Sequence, residues 1–211
     1  LEQSTNVVSQ LNGTPFLGKR NAIDFTGNAS QSYALLISGG GDASQNWTRY
    51  WGDVAMFYST LRLKYGLPKE NIVVCLSDGV STGLDQRSAS DGTYSNSSLD
   101  LDNDGQSDVN YNATKTSIQA AIASFASQLT PKDQLFIFIT DHGTENEDTG
   151  EDPCLIPWLG QTVSFSSYED LYSRCISVSE LSSWIGDLKC PTTIAMEFCY
   201  SGCFVDSLAN Q

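Results

Sequence analysis

The 211-residue chain predicts an α/β protein with a mostly parallel sheet and helices on both faces. Three observations carry this expectation. Short, near-continuous apolar runs alternate with stretches of helical periodicity. Those runs empty into loops of Gly, Ser and Asp. Composition, at 40% hydrophobic and 10% aromatic residues, supports one sizeable core.

Residues 1–32 lack periodicity and read as an N-terminal arm; residues 33–211 read as one domain with an acidic insertion at about 78–112. Tyr33 to Ile37 (YALLI) is a buried strand ending in Ser38-Gly39-Gly40-Gly41. From Asp53 to Tyr65, apolar residues at 54, 57, 58, 61 and 65 fit a helix with one buried face, stopped by Gly66 and Pro68. Asn71 to Leu76 (NIVVCL) gives a second strand, rich in β-branched residues. Helical spacing resumes from Thr114 to Leu129, and Gln134 to Thr140 (QLFIFIT) forms the third strand. A long loop is expected from Gly143 to about Arg174. Ser177 and Glu180 make a capping-box pattern that opens a helix through Leu188, and Thr193 to Glu197 is the fourth strand.

Charge and cysteine content narrow the function classes. Net charge is −14, from 25 acids against 11 bases, which disfavours a nucleic-acid surface and suits a divalent cation. No run approaches the roughly 20 apolar residues of a membrane span. The chain opens at Leu1 with no Met or apolar leader, which reads as processing or trimming, and a Ser/Asn/Thr/Asp-rich surface with few lysines leans towards an extracellular or periplasmic location. Cysteines at 75, 154, 175, 190, 199 and 203 do not follow zinc-finger spacing, so a zinc site with His142 is disfavoured. If Cys199 stays free, the remaining five cannot all pair; Cys154 with Cys175 is a conceivable disulfide. Sequons such as those at Asn28, Asn46, Asn96 and Asn112 occur by chance in a chain this rich in Ser, Thr and Asn.

In a parallel sheet, ligands lie beyond the carboxyl ends of the strands. Strands three and four end there in Asp141-His142-Gly143 and Glu197-Phe198-Cys199. His142, the sole histidine, could be a plain surface residue, and Cys199 alone could be a small buried hydrophobe. Together they form a nucleophile and a proton-transfer partner, because a thiol needs a nearby imidazole to become a useful thiolate. Their separation (199 − 142 = 57) leaves room for a crossover between neighbouring strands. Gly143 lets backbone approach closely, and its N–H with that of Cys199 would stabilise an oxyanion.

The segments FIFITDHG and EFCYSG resemble the legumain-type cysteine peptidases of the caspase-like fold (clan CD), whose motifs read Thr-Asp-His-Gly and Glu-Ala-Cys-Glu-Ser-Gly. Upstream, YALLIS, WTRYWGD and KENIVVCLSDG are similar to the family's strand, Asn-Tyr-Arg-His motif, helix and strand ending in Asp-Asp. The resemblance implies a three-layer caspase-like fold and a cysteine endopeptidase working through an acyl-enzyme on peptide or protein substrates. It also implies that Arg49 and Glu197 lie in the specificity pocket and that cleavage follows Asn. Trp47 departs from the family's usual Asn, and Phe198 and Tyr200 replace small and acidic neighbours of the nucleophile. The chain ends twelve residues after Cys199, where the family's sheet continues, so a C-terminal segment or second chain is expected to complete the sheet. Ala209-Asn210-Gln211 would suit self-cleavage. Outside the resemblance, Arg49 could pair with Asp53 and Glu197 could be a solvated strand-end acid. Two other functions use the same residues: a transpeptidase or transamidase with the same dyad, and a non-catalytic calcium-stabilised binding module.

Asp100, Asp102, Asp104 and Asp108 occupy positions one, three, five and nine of a loop with Gly105 at six and Gln106 at seven. Such alternation can wrap calcium, although Tyr111 at position twelve rules out an EF-hand. A structural calcium held by these residues is expected, against the alternative of a solvated acidic loop; no organic cofactor is expected.

Overall fold

The computed structural model describes residues 29–146, 149 and 151–209. The expected N-terminal arm up to residue 28, the sequon at Asn28 and the cleavage site at Asn210 and Gln211 lie outside the described residues.

A four-stranded, fully parallel sheet forms the centre: β1 (Ser32–Ser38), β2 (Ile72–Leu76), a strand Gln134–Thr140 and a strand Thr192–Glu197. Two short strands in the insertion, β3 (Gln86–Arg87) and β4 (Tyr94–Ser95), pair as a hairpin. The two later central strands are therefore β5 and β9, and the sheet order is β2-β1-β5-β9. The parallel α/β expectation is met.

Residue parity sorts the core into two layers. Leu35 and Ile37 of β1 and Leu135, Ile137 and Ile139 of β5 face one side, with Ile118, Ile122 and Phe125 of α2 (Lys115–Gln128). Ala34 and Leu36 face the other, with Val54, Tyr58 and Leu61 of α1 (Thr48–Ser59) and its continuation, a π-turn at Thr60–Lys64. Strands buried on both faces carry no polar alternation, which is why they read as unbroken apolar runs. At about 1.5–3 kcal/mol for each buried Leu or Ile side chain, these layers dominate the stabilisation.

Helix α1 begins at Thr48, five residues before the expected start. Tyr50, 3% exposed, extends the buried stripe one turn upstream of Val54, but its hydroxyl and the following Gly52 mask the periodicity. The long loop expected after Gly143 is instead structured. Strand β6 (His142–Asn146), β7 (Glu151–Ile156) and β8 (Ile176–Ser177) form a small antiparallel sheet, with α3 (Tyr168–Arg174) between β7 and β8. Polar HGTEN and a proline in β7 hide this hairpin from pattern reading, and Pro153 falls at the register shift between Thr144 and Asn146. The expected capping box is present: Ser177 Oγ accepts from the Glu180 N–H, and Glu180 Oε2 accepts from the Ser177 N–H, opening α4 (Val178–Gly186). Helix α5 (Gly202–Ala209) follows the Cys199 loop. The insertion returns along the β2 edge, where the Asn110 and Tyr111 N–H groups donate to Val74 and Leu76 N–H donates to Tyr111. No described helix is long and apolar enough to cross a membrane.

Candidate active site

Strands β5 and β9 run side by side with Thr140 opposite Glu197, so His142 and Cys199 leave the same sheet edge two residues later. Main-chain contact confirms how close the two loops come. A Cβ added at Gly143 would collide with the Cys199 carbonyl oxygen and lie 2.9 Å from the Phe198 ring. Only glycine fits there. Phe198 is buried and meets Phe204 edge-on at 5.2 Å, anchoring the loop to the core. Cys199 and Cys203 are exposed, and Tyr200 turns with φ of 64°.

Asp141 braces the histidine side. Its carboxylate accepts N–H bonds from Gly39 at 2.6 Å, Gly40 at 2.8 Å and His142 at 2.8 Å. Gly40 has φ of 72° and no room for a Cβ beside Asn46, so the approach requires glycine. Burial pushes the Asp141 carboxyl up to about 7, against the pull of the three N–H donors.

The His142 ring is fixed by partners absent from the expected site. Its Nε2 lies 2.9 Å from the Gln45 carbonyl oxygen, which can only accept, so Nε2 carries the hydrogen. That tautomer leaves Nδ1 as the acceptor of the ring. Tyr50 stands edge-on to the imidazole at 5.3 Å between ring centroids, with its hydroxyl 3.3 Å from each ring nitrogen. Burial raises the Tyr50 pKa, partly offset by the Arg49 guanidinium, so the phenol stays protonated at neutral pH. Arg49 Nη2 donates to the Tyr50 hydroxyl at 3.0 Å, and its guanidinium lies 4.6 Å from the Tyr50 ring centre. Arg49 and Glu197 are exposed, and among the described residues no ion pair joins Arg49 to Asp53 or to Glu197.

A cavity of about 270 Å³ opens beside His142, lined by Gln45, Gly143, Ile156, Val163 and Phe165 among others. Cys154 and Cys175, the pair considered for a disulfide, are buried free thiols in contact with each other. Trp47 is the N-cap of α1, with Arg87 of the insertion 5.4 Å from its ring centre. Asn46 is buried, its amide donating to Ser77 Oγ and the Asp85 carbonyl, which leaves that sequon unavailable for a glycan.

The family model of the peptidase C13 family matches residues 32–211. The chain belongs to that family. It is a legumain-type cysteine peptidase with the caspase-like fold, and its substrates are proteins or peptides. No curated protein matches the chain. Sequence reasoning missed Tyr50 and Gln45, and for different reasons. A tyrosine inside the Arg49 motif was a visible signal, whereas Gln45 acts through a carbonyl that every residue possesses.

In the acidic loop, the structure brings together Asp100, Asp102 and Asp108, each offering one oxygen within 4.8 Å of the others. Asp104 instead accepts the Gln106 N–H at 2.8 Å, and Gln106 is exposed.

Proposed function

We propose that this peptidase is an endopeptidase cleaving after Asn, with Cys199 as nucleophile and His142 Nδ1 as the group that moves the proton. The observation supporting it most is the Nε2–Gln45 carbonyl contact, which leaves Nδ1 as the ring's acceptor, together with the close main-chain approach of Gly143 to Cys199. The Cys199 thiol gives its proton to Nδ1 as Sγ bonds to the scissile carbonyl carbon. The Gly143 and Cys199 N–H groups hold the oxyanion. Collapse breaks the C–N bond, and His142 returns the proton to the departing amine. Water then adds to the thioester, releasing the acid and restoring the thiol. Arg49 and Glu197 recognise the Asn amide, guanidinium to its oxygen and carboxylate to its nitrogen. The cavity lined by His142, Ile156, Val163 and Phe165 takes an apolar side chain of the substrate.

A peptide library with mass-spectrometric readout tests this reading, together with an acyloxymethyl ketone carrying Asn. Cleavage after Asn and adduct formation at Cys199 are expected. Turnover that survives Cys199→Ala, or no turnover and no adduct in the native protein, would overturn it. Added hydroxylamine separates hydrolysis from amine transfer, since only a transferase gives mainly the hydroxamate at millimolar amine.

A further inference from the structure

The acidic loop lies apart from the candidate active site and holds a buried charge with no hydrogen-bond partner. Asp102 has a side chain only 4% exposed. Its Oδ1 is fully buried and accepts no hydrogen bond, and its Oδ2 lies 3.8 Å from Arg62 Nε, beyond hydrogen-bonding distance. A buried carboxylate oxygen in that condition is strongly unfavourable unless a cation meets it.

The neighbours supply the rest of a cation site. Asp100 and Asp108 each point an oxygen to within 4.8 Å of Asp102. Asp100 is oriented by N–H bonds from Asp104 and Gly105, at 3.1 and 2.9 Å. Asp108 is oriented by the Leu101 N–H at 2.7 Å, the Tyr58 hydroxyl at 2.8 Å and Lys69 at 2.6 Å. Such outer partners are what fix the direction of metal ligands. Four carboxylates (100, 102, 104, 108) face two cations (Arg62 and Lys69), which leaves two negative charges. One divalent ion balances them.

We infer that Asp100, Asp102 and Asp108 bind one calcium ion that fastens the insertion to helix α1. Three carboxylate ligands without nitrogen or sulfur select a hard cation. A loop that offers several protein oxygens without strict octahedral placement suits calcium better than magnesium, with water completing the shell. The fastening follows from the loop's other bonds. Ser59 Oγ donates to the Leu101 carbonyl, Trp51 Nε1 donates to the Ser98 carbonyl, and Asp108 reaches Tyr58. All three partners belong to α1, whose first turn carries Arg49 and Tyr50. The ion is therefore structural, and its effect reaches the candidate pocket through that helix.

Thermal unfolding of the EGTA-treated protein, followed by addition of calcium or magnesium chloride, tests the assignment alongside calorimetric titration with calcium. One site per chain is expected, with Tm rising about 5 °C or more at a hundredfold excess over Kd. Magnesium at the same concentration should give a much smaller shift. Asp102→Asn keeps the shape but removes the buried charge. Without calcium it should unfold at or above the temperature of the native protein, and with calcium it should show no shift. Asp100→Asn, at a partly buried position of the loop, should lose the shift too and serves if the first variant does not fold. A calcium-insensitive Tm, an equal response to magnesium, or an undiminished shift in these variants would each overturn the inference. None of these readouts depends on peptidase activity.

Discussion

The two halves of the candidate site are built on unequal strands. His142 follows β5, which is flanked by β1 and β9 and whose Leu135, Ile137 and Ile139 are fully buried. Cys199 follows β9, the last strand in the described sheet order, where Ile194, Ala195 and Met196 are only half-buried. Behind the imidazole stands Asp141 with three backbone donors, then the Gln45 carbonyl and the Tyr50 ring. Behind the thiol stand Phe198 and a short turn closed by Ser201 N–H to the Phe198 carbonyl at 3.2 Å. The imidazole is thus fixed by the core of the fold, while the thiol sits on an exposed loop held by the Phe198 anchor. For the proposed dyad, this concentrates preorganisation on the group whose orientation matters most, because an imidazole must present one particular nitrogen whereas a thiol rotates freely.

The largest effects should separate chemistry from stability. Cys199→Ala and His142→Ala should each lower kcat/KM on a peptide substrate by about 10⁴-fold or more, since members of a nucleophile–base unit fail together. Their unfolding should differ. Cys199→Ala, at an exposed position, should leave Tm within about 1 °C of the native protein, because surface changes rarely exceed ±0.5 kcal/mol. His142→Ala should lower it, having lost both Gln45 and Tyr50 contacts. Equal Tm changes in the two variants would break the comparison.

Phe198→Ala tests the single anchor on the thiol side. Removing a ring packed on Phe204 and Gly143 should cost about 3–4 kcal/mol in chemical denaturation. Asp141→Asn tests the brace on the imidazole side. The amide keeps one acceptor oxygen but turns its NH₂ towards backbone donors, at a cost of about 2–3 kcal/mol. Tyr50→Phe should be milder still. It removes the hydroxyl held by Arg49 at 3.0 Å and should reduce kcat about tenfold with little change in Tm. A change confined to KM would instead assign Tyr50 to substrate binding through Arg49.

What the sequence made legible follows the same division. The central strands and the parallel sheet were readable because burial on both faces leaves runs such as LFIFI with no other explanation. The strand-end positions of His142 and Cys199 followed from those runs. The β6–β7 hairpin was not readable: HGTEN and EDPCLI lack apolar alternation, and their pairing is set by contacts distant in sequence. Phe198, an apparent departure beside Cys199, has its reason only in three dimensions, where it fills the space between Gly143 and Phe204. The acidic loop was legible as a pattern, but which acids converge depends on backbone turns at Asn103 and Gly105, with φ of 62° and 86°.

The smallest expected effect lies on the connection between the halves. Helix α4 joins β8 of the small sheet that carries His142 to β9 of the sheet that carries Cys199. Glu180 caps it and also meets Lys115 of α2 at 2.8 Å. Burial pushes the Glu180 carboxyl up, but Lys115 and the Ser177 N–H outweigh this and hold its pKa below the usual carboxylate value. A depressed carboxylate pKa stabilises the fold above the unfolded value of 4.5, and that stabilisation is lost as pH falls through the folded value. Glu180→Gln should therefore cost about 1 kcal/mol at pH 7, discounted for partial exposure, and progressively less as pH falls through the depressed folded value. Because α4 serves both strands, kcat/KM at 25 °C should be unchanged while urea midpoints at pH 7 fall. A loss of activity without loss of stability would show that the helix cap positions one of the two strand ends instead of merely holding both.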